Sequence, residues 1–167
     1  MRIACFILAA AVLSPLGAAA NPDGAPWSSS NPKGVIHCAS CHFGGDTEQD
    51  SSAIALEGLP DELTPGEIYE LVLTFANPSD AAIVGFLASA SAGAYQDAGE
   101  GVESRGKEVR STEPVDGKAA RWALQWRAPE SDSQSVKFLI GVNAANDDQS
   151  AFGDEIHYKT IALEAGE

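Results

Sequence analysis

The sequence predicts an all-β fold, an antiparallel β-sandwich preceded by an irregular arm. Three observations predict it. Runs of alternating apolar and polar residues recur at regular spacing, clusters rich in Gly, Asp, Asn and Pro separate these runs, and no segment shows a convincing amphipathic-helix pattern. The chain from residue 56 onward also supplies the roughly 100 residues that such a sandwich needs.

Residues 1–20 have the three parts of a secretory signal peptide. Arg2 precedes an apolar run from Ile3 to Leu13, and the small residues at 18–20 form an A-x-A cleavage site. The apolar run is too short to span a bilayer well. We therefore predict cleavage before Asn21, export to the periplasm or the cell exterior, and no membrane span in the mature chain.

The mature chain divides into an arm and a sandwich. Residues 21–55 are rich in Pro, Gly, Ser and Asn and have little periodicity, which indicates an irregular arm. Residues 56–167 contain the runs that we interpret as strands, and we assign them to the sandwich. The clearest of these runs are GEIYELVLTF, AAIVGFLASA, RWALQWR, SVKFLIGVNAAN and EIHYKTIALE.

Alternation within these runs predicts which side chains are buried. We expect Trp122, Leu124 and Trp126 to face the space between the sheets as its largest members. The polar residues of the same run that should face outward are Arg121, Gln125 and Arg127. In the last run we expect Ile156 and Tyr158 to point inward, which turns His157 outward.

The segment HCASCHFGGD contains a C-x-x-C-H pattern, which is typical of c-type haem attachment. Two thiols three residues apart can reach the two vinyl groups on one edge of a porphyrin, and the next residue can then bind the iron. We therefore predict one covalent haem c, attached through Cys38 and Cys41, with His42 as the proximal iron ligand. Such attachment takes place outside the cytoplasm, in agreement with the signal peptide.

Two other kinds of site are weaker interpretations of the same segment. A structural zinc ion needs four ligands, and His37 and His42 flank the cysteine pair too tightly for an easy tetrahedron. A thiol–disulfide centre would require a thioredoxin-like βαβ setting, and the surrounding sequence does not predict one.

The second axial position of the iron has several candidates. Met1 is the only methionine and belongs to the predicted signal peptide, so the methionine common in electron-transfer cytochromes is lost. His157 is a possible distal ligand if it projects from an exposed strand. His37 and the α-amino group of Asn21 are alternatives, and the position can also be open.

The loop NAANDDQSAFGDE carries three aspartates. A calcium site needs six or more oxygen ligands, and the spacing matches no standard calcium loop. A solvated hairpin turn is the better interpretation, with Phe152 anchoring the loop to the end of the sandwich.

Taken together, CASCHFGG, RWALQWRAP, VKFLIGVNAAN and FGDEIHYKT resemble, in their order, the Reeler-like domains of exported bacterial proteins, including those named choice-of-anchor V. The resemblance covers nearly all of the mature chain. It implies an immunoglobulin-like sandwich and haem binding at Cys38, Cys41 and His42. His157 stands where those domains have a tyrosine. Cytochrome f is a looser architectural likeness, and its α-amino iron ligand keeps Asn21 among the candidates.

These features favour an exported monohaem protein that transfers electrons in the periplasm. The alternative is a β-sandwich binding or adhesion module whose haem is structural or senses a gas. No hydrolytic or transferase signature is present, so we do not expect an enzyme. The formal net charge of −14 argues against nucleic acid and anionic membranes as partners. The charge either suits a basic redox partner or keeps an exported domain soluble.

Overall fold

A computed structural model describes residues 24–27, 37–96, 99–131 and 135–164. The predicted signal peptide and Asn21 lie outside the described residues. The described chain forms eleven strands and two short 3₁₀ turns, at Cys38–Ser40 and Gly117–Ala119. The strands are β1 (Thr47–Glu48), β2 (Ile54–Glu57), β3 (Ile68–Phe75), β4 (Ile83–Ala90), β5 (Ala94–Gln96), β6 (Val102–Arg105), β7 (Glu108–Ser111), β8 (Val115–Asp116), β9 (Arg121–Arg127), β10 (Val136–Ala145) and β11 (Glu155–Leu163).

The strands form two sheets, which confirms the predicted all-β sandwich. The larger sheet has the order β1-β11-β10-β4-β7-β6, with β8 also paired to β4, and the smaller sheet has the order β2-β3-β9-β5. Every pairing between strands is antiparallel except that of β1 with β11, which is parallel. The arm therefore contributes an edge strand to the larger sheet, although its composition predicts irregular chain.

The core lies between the sheets and contains the side chains that alternation predicts. In β9, Trp122, Leu124 and Trp126 are buried. In β10, the buried apolar side chains of the same face are Val136, Phe138, Ile140 and Val142. Trp126 packs edge-on against Phe138 across the two sheets, with ring centroids 5.0 Å apart, which is within the range of favourable aromatic pairs.

The predicted facing of β11 is wrong. His157 pairs with Val142 of the core, whereas Ile156 pairs with Asn143 on the outer face of the larger sheet. Because paired residues point to the same face, His157 faces the sandwich interior, where its ring lies 4.8 Å from that of Phe75. Ile156 is nevertheless buried, since the arm covers the outer face beside it. Both faces of β11 are covered here, so the hydrophobic pattern could not indicate which one is inside.

Candidate functional site

The C-x-x-C-H segment forms a tight turn at the outer face of the larger sheet. The backbone N–H groups of Cys41 and His42 both donate to the carbonyl oxygen of Cys38, at 3.1 and 3.0 Å. A 3₁₀ turn has three residues per turn, so side chains three positions apart lie nearly above one another. The turn therefore keeps the two cysteines close to each other, as attachment to one porphyrin edge requires.

The two thiols are free and differ in their surroundings. Cys38 is half-buried beside Tyr158, whereas Cys41 is exposed. Burial raises the pKa of the Cys38 thiol to about 11. The hydroxyl oxygen of Tyr158 accepts a hydrogen bond from the backbone N–H of Ala39, and burial also raises the pKa of this tyrosine. Cys38 is thus held against β11, and Cys41 remains open to reaction partners.

His42 is oriented by a buried carboxylate. Its Nδ1 lies 2.5 Å from Oδ2 of Asp154, whose side chain is 1% exposed, while the imidazole is 18% exposed. A carboxylate only accepts hydrogen bonds, so Nδ1 is the donor, and in the neutral form of the ring Nε2 carries the lone pair. Among the described residues, Nε2 has no hydrogen-bond partner. A histidine that binds a metal usually donates its other N–H in this way, which fixes the tautomer and the ring orientation.

Asn143 contacts the imidazole from β10. Its Nδ2 lies 3.2 Å from Nδ1 of His42, and because Nδ1 already donates to Asp154, this is a packing contact between two donor nitrogens and not a hydrogen bond. Asn143 and Ile156 form a register pair on the outer face of the larger sheet, so the imidazole lies over β10 near the start of β11. Oδ1 of Asn143 and Oδ1 of Asp154 are both buried without a hydrogen-bond partner among the described residues. Such unpaired acceptors are rare and tend to occur at functional positions.

Backbone hydrogen bonds hold the arm at this place. The N–H of Phe43 donates to Ala151, the N–H of Gly153 donates to Phe43, and the N–H of Ile156 donates to Asp46, at 2.8 to 2.9 Å. Gly45 permits this close approach, because a Cβ there would lie 2.2 Å from the carbonyl oxygen of Asp154. The C-x-x-C-H turn and the start of β11 are therefore one connected unit.

A second attachment holds the arm further toward the N-terminus. The guanidinium of Arg110 on β7 lies 4.5 Å from the ring centroid of Trp27 and donates to the carbonyl oxygen of Ala25. Glu103 holds the same guanidinium through contacts of 2.5 and 2.8 Å. The arm thus contacts the larger sheet at β7 as well as at β10 and β11.

The donor set fits a c-type haem. A porphyrin supplies four nitrogen ligands, so the protein needs to provide only two thiols for attachment and one imidazole for the iron. Cys38 and Cys41 can supply the two thiols and His42 the imidazole, whose orientation Asp154 fixes. Within the described ranges, no group of three or more His, Cys, Asp or Glu side chains is arranged to hold a metal ion.

The structure does not bring His157 to His42. His157 is 4% exposed, and its Nδ1 lies 2.9 Å from Oε2 of Glu48 and 3.1 Å from Oγ of Ser51. The prediction that His157 projects outward is therefore wrong. The side chain of Asn143 reaches His42 on the outer face of the larger sheet, whereas His157 faces the interior. In this arrangement the two imidazoles cannot bind opposite faces of one haem. The other candidate histidine, His37, is exposed beside the turn.

The aspartate-rich loop is a turn held by its own side chains, but Phe152 does not anchor it. The backbone N–H groups of Asp148 and Ser150 each donate to the side chain two residues earlier, to Asn146 Oδ1 and Asp148 Oδ1 respectively. Phe152 is 60% exposed, so the expectation that it packs into the sandwich end is wrong.

Sequence reasoning missed Asp154 and Asn143 as site residues. The sequence pattern places Asp154 among the loop aspartates, whereas its partner in the structure is the imidazole of His42, 112 residues away. Only the positions of these two residues relative to the last strand could have indicated their role. Asp154 directly precedes that strand, and Asn143 lies opposite its start.

The fold is similar to that of solved reeler domains. The reelin-N domain of F-spondin has 19% sequence identity and a TM-score of 0.54, over 78% of this chain and 96% of that domain. The human F-spondin reeler domain has 21% identity and a TM-score of 0.52, over 71% of this chain and 93% of that domain. These likenesses show a Reeler-like β-sandwich.

No protein-family model matches the chain, and no curated protein sequence matches it. Among the described residues, no helix combines the length and the apolar character that a membrane crossing requires.

Proposed function

We propose that the chain is an exported c-type monohaem protein that transfers single electrons in the periplasm. The observation that carries this proposal is the contact of 2.5 Å between His42 Nδ1 and the buried carboxylate of Asp154. This contact fixes the imidazole of a C-x-x-C-H motif in the tautomer whose Nε2 can bind iron.

The chain's own residues have separate tasks in this proposal. Cys38 and Cys41 would form the thioether bonds, and His42 would be the proximal iron ligand. Asp154 keeps the proton on Nδ1, and Asn143 limits the rotation of the ring. When bound, haem would supply a reversible one-electron couple between ferric and ferrous iron. No residue in this set has to release a proton for electron transfer.

The surface charge supports a protein partner of opposite sign. With a net charge of −14, the domain would attract a basic redox partner and increase the rate of encounter, most strongly at low ionic strength. The exposed position of Cys41 supports a haem edge near the surface, where electrons can pass between proteins. We infer no catalytic role for the sandwich.

A second candidate is a Reeler-like module whose haem is structural or senses a gas. The burial of His157 on the opposite face of the larger sheet favours it, because this burial removes the strongest candidate for a second axial ligand. The remaining candidates are His37, the amino group of Asn21 and an open position. An open position would bind carbon monoxide, whereas a closed, low-spin iron would suit the electron carrier.

The test is expression of the full chain with and without a c-type haem maturation system. We expect haem that survives denaturation, a mass increase corresponding to one haem, and its loss in the double variant Cys38→Ala/Cys41→Ala with the sandwich still folded by circular dichroism. The carbon monoxide difference spectrum of the reduced protein then separates the two candidates. A wild-type chain that acquires no haem under these conditions would refute both.

A further inference from the structure

Two exposed aromatic side chains lie together beside the candidate haem ligand. Phe43 is 49% exposed and Phe152 is 60% exposed, and their rings meet edge to face with centroids 5.9 Å apart. Among the described residues, the only other large apolar side chain of comparable exposure is Ile68 at the start of β3. Exposed apolar surface concentrated at one place indicates a binding surface more often than scattered single residues do.

The backbone specifies where these rings lie. Phe43 and Phe152 form an isolated parallel bridge, with hydrogen bonds from Phe43 N–H to Ala151 and from Gly153 N–H to Phe43. Gly44 leaves room for the second ring, because a Cβ there would lie 2.5 to 2.8 Å from three ring atoms of Phe152. Its φ of +88° also lies in the region that favours glycine. The exposed pair is therefore a structured feature of the arm and the loop.

The position of the pair identifies its occupant. Phe43 directly follows His42, and Phe152 precedes by two residues the Asp154 that holds His42. A haem bound through Cys38, Cys41 and His42 would extend over the neighbouring surface, and its macrocycle is flat, apolar and aromatic. Phenylalanine rings pack favourably against such surfaces and exclude water from them.

We propose that Phe43 and Phe152 form the haem-contact surface of this protein, covering part of the macrocycle and raising its reduction potential. This inference rests on the proposed haem function and adds the residues that set the environment of the group. A less solvated haem favours the ferrous state, since water stabilises the more highly charged ferric iron.

The test uses the holoprotein with Phe152→Ser, with Phe43→Ser as a second variant and Ile68→Ser as the matched control. Both aromatic variants should keep covalent haem. At a fixed solution potential we expect the ferric-to-ferrous ratio to rise about tenfold, which corresponds to a reduction potential lower by about 59 mV for one electron. The circular dichroism of the main haem band should weaken in the same variants. Ile68→Ser should change neither property.

Each outcome decides the inference. Aromatic variants with covalent haem and unchanged potential and dichroism would overturn it while leaving the proposed function intact. An equal shift in Ile68→Ser would overturn it as well, because the effect would not be local. Weaker association with a redox partner at unchanged haem properties would overturn it in favour of a protein-docking surface. Absence of haem in the wild-type holoprotein preparation would refute the inference together with the proposed function.

Discussion

His42 and His157 have the same kind of partner in opposite surroundings. Each places Nδ1 on a carboxylate oxygen, at 2.5 Å for Asp154 and 2.9 Å for Glu48. At His42 the carboxylate is 1% exposed and the ring 18%, whereas at His157 the ring is 5% exposed and the carboxylate 49%. In the first pair the protein fixes the acid and presents the imidazole, and in the second it buries the imidazole and leaves the acid in solvent.

The comparison shows that hydrogen bonding to a carboxylate does not by itself identify a ligand. The ring of His157 packs against Phe75 of the opposite sheet and joins β1 to β11 through Glu48 and Ser51. Its task is to close this end of the sandwich. The ring of His42 lies on the outer face of the larger sheet with Nε2 available, which is the arrangement that a metal-binding imidazole needs.

The largest expected effect on stability is that of His157→Ala. Removing a buried ring leaves a cavity against Phe75 and takes a partner from Ser51 and Glu48, so we expect a loss of about 2–4 kcal/mol in the free energy of unfolding. Chemical denaturation of the haem-free protein measures it. The exposed His37→Ala is the control and should be neutral. A neutral His157→Ala would contradict the structural role assigned to this residue.

A smaller effect is expected for Asp154→Ala, which removes the buried partner of His42. We expect the free energy of unfolding to fall by about 1.5–3 kcal/mol, the usual range for a hydrogen bond to a charged group, and amide exchange to become faster in residues 38–46. Asp61→Ala, at an exposed position between β2 and β3, is the matched control. If exchange in the turn stays at the wild-type rate, Asp154 does not hold the arm.

The faces of β9 could be predicted from the sequence, whereas those of β11 could not. Trp122 and Trp126 alternate with polar residues because only one face of β9 is buried. At the start of β11 the arm covers the outer face, so Ile156 and His157 are both buried and the period-two signal disappears.

The residues of the candidate site also differ in whether the sequence predicts them. Cys38, Cys41 and His42 are contiguous, so a local motif predicts them. Asp154 and Asn143 join His42 across 112 and 101 residues, and only the register of β10 and β11 brings them together. The exposure of Phe152 likewise depends on how the arm meets the loop, because its ring lies over Gly44.

The two cysteines should differ in their dependence on pH. Burial raises the pKa of Cys38 from its ordinary value of 9.0 to about 11, while Cys41 is exposed. In the haem-free protein, N-ethylmaleimide at pH 8 should therefore alkylate Cys41 first, as mass spectrometry of the single variants Cys38→Ala and Cys41→Ala can establish.

The sign of the linked stability follows from the raised pKa of Cys38. The folded state holds the proton of the Cys38 thiol more tightly than the unfolded state does. Its contribution to the free energy of unfolding is therefore complete below pH 9 and is lost as the pH rises to about 11. The variant Cys38→Ala should lack this loss of stability at alkaline pH. Equal alkylation rates at pH 8 in the two single variants would show that the thiol is not buried.

The smallest effect is expected at the other attachment of the arm. Arg110→Ala removes the cation–π contact with Trp27 and the contact with Glu103. We expect this change to lower the free energy of unfolding by about 0.5–1.5 kcal/mol. The tryptophan fluorescence should change as well. We attribute this change to Trp27, because the other two tryptophans, Trp122 and Trp126, are buried in the core. Arg121→Ala is the control on an exposed position of β9. An unchanged spectrum in Arg110→Ala would mean that Trp27 does not rest on Arg110 in solution.

The most direct test of the account compares the visible spectra of the two histidine variants of the holoprotein, His42→Ala and His157→Gln. We predict that His157→Gln has the wild-type oxidised and reduced spectra, because this side chain faces the interior away from the turn. His42→Ala should lose covalent haem or show iron without its protein ligand. Wild-type spectra in His42→Ala, or a change from low-spin to high-spin iron in His157→Gln, would contradict the assignment of His42 as the ligand and His157 as a structural residue.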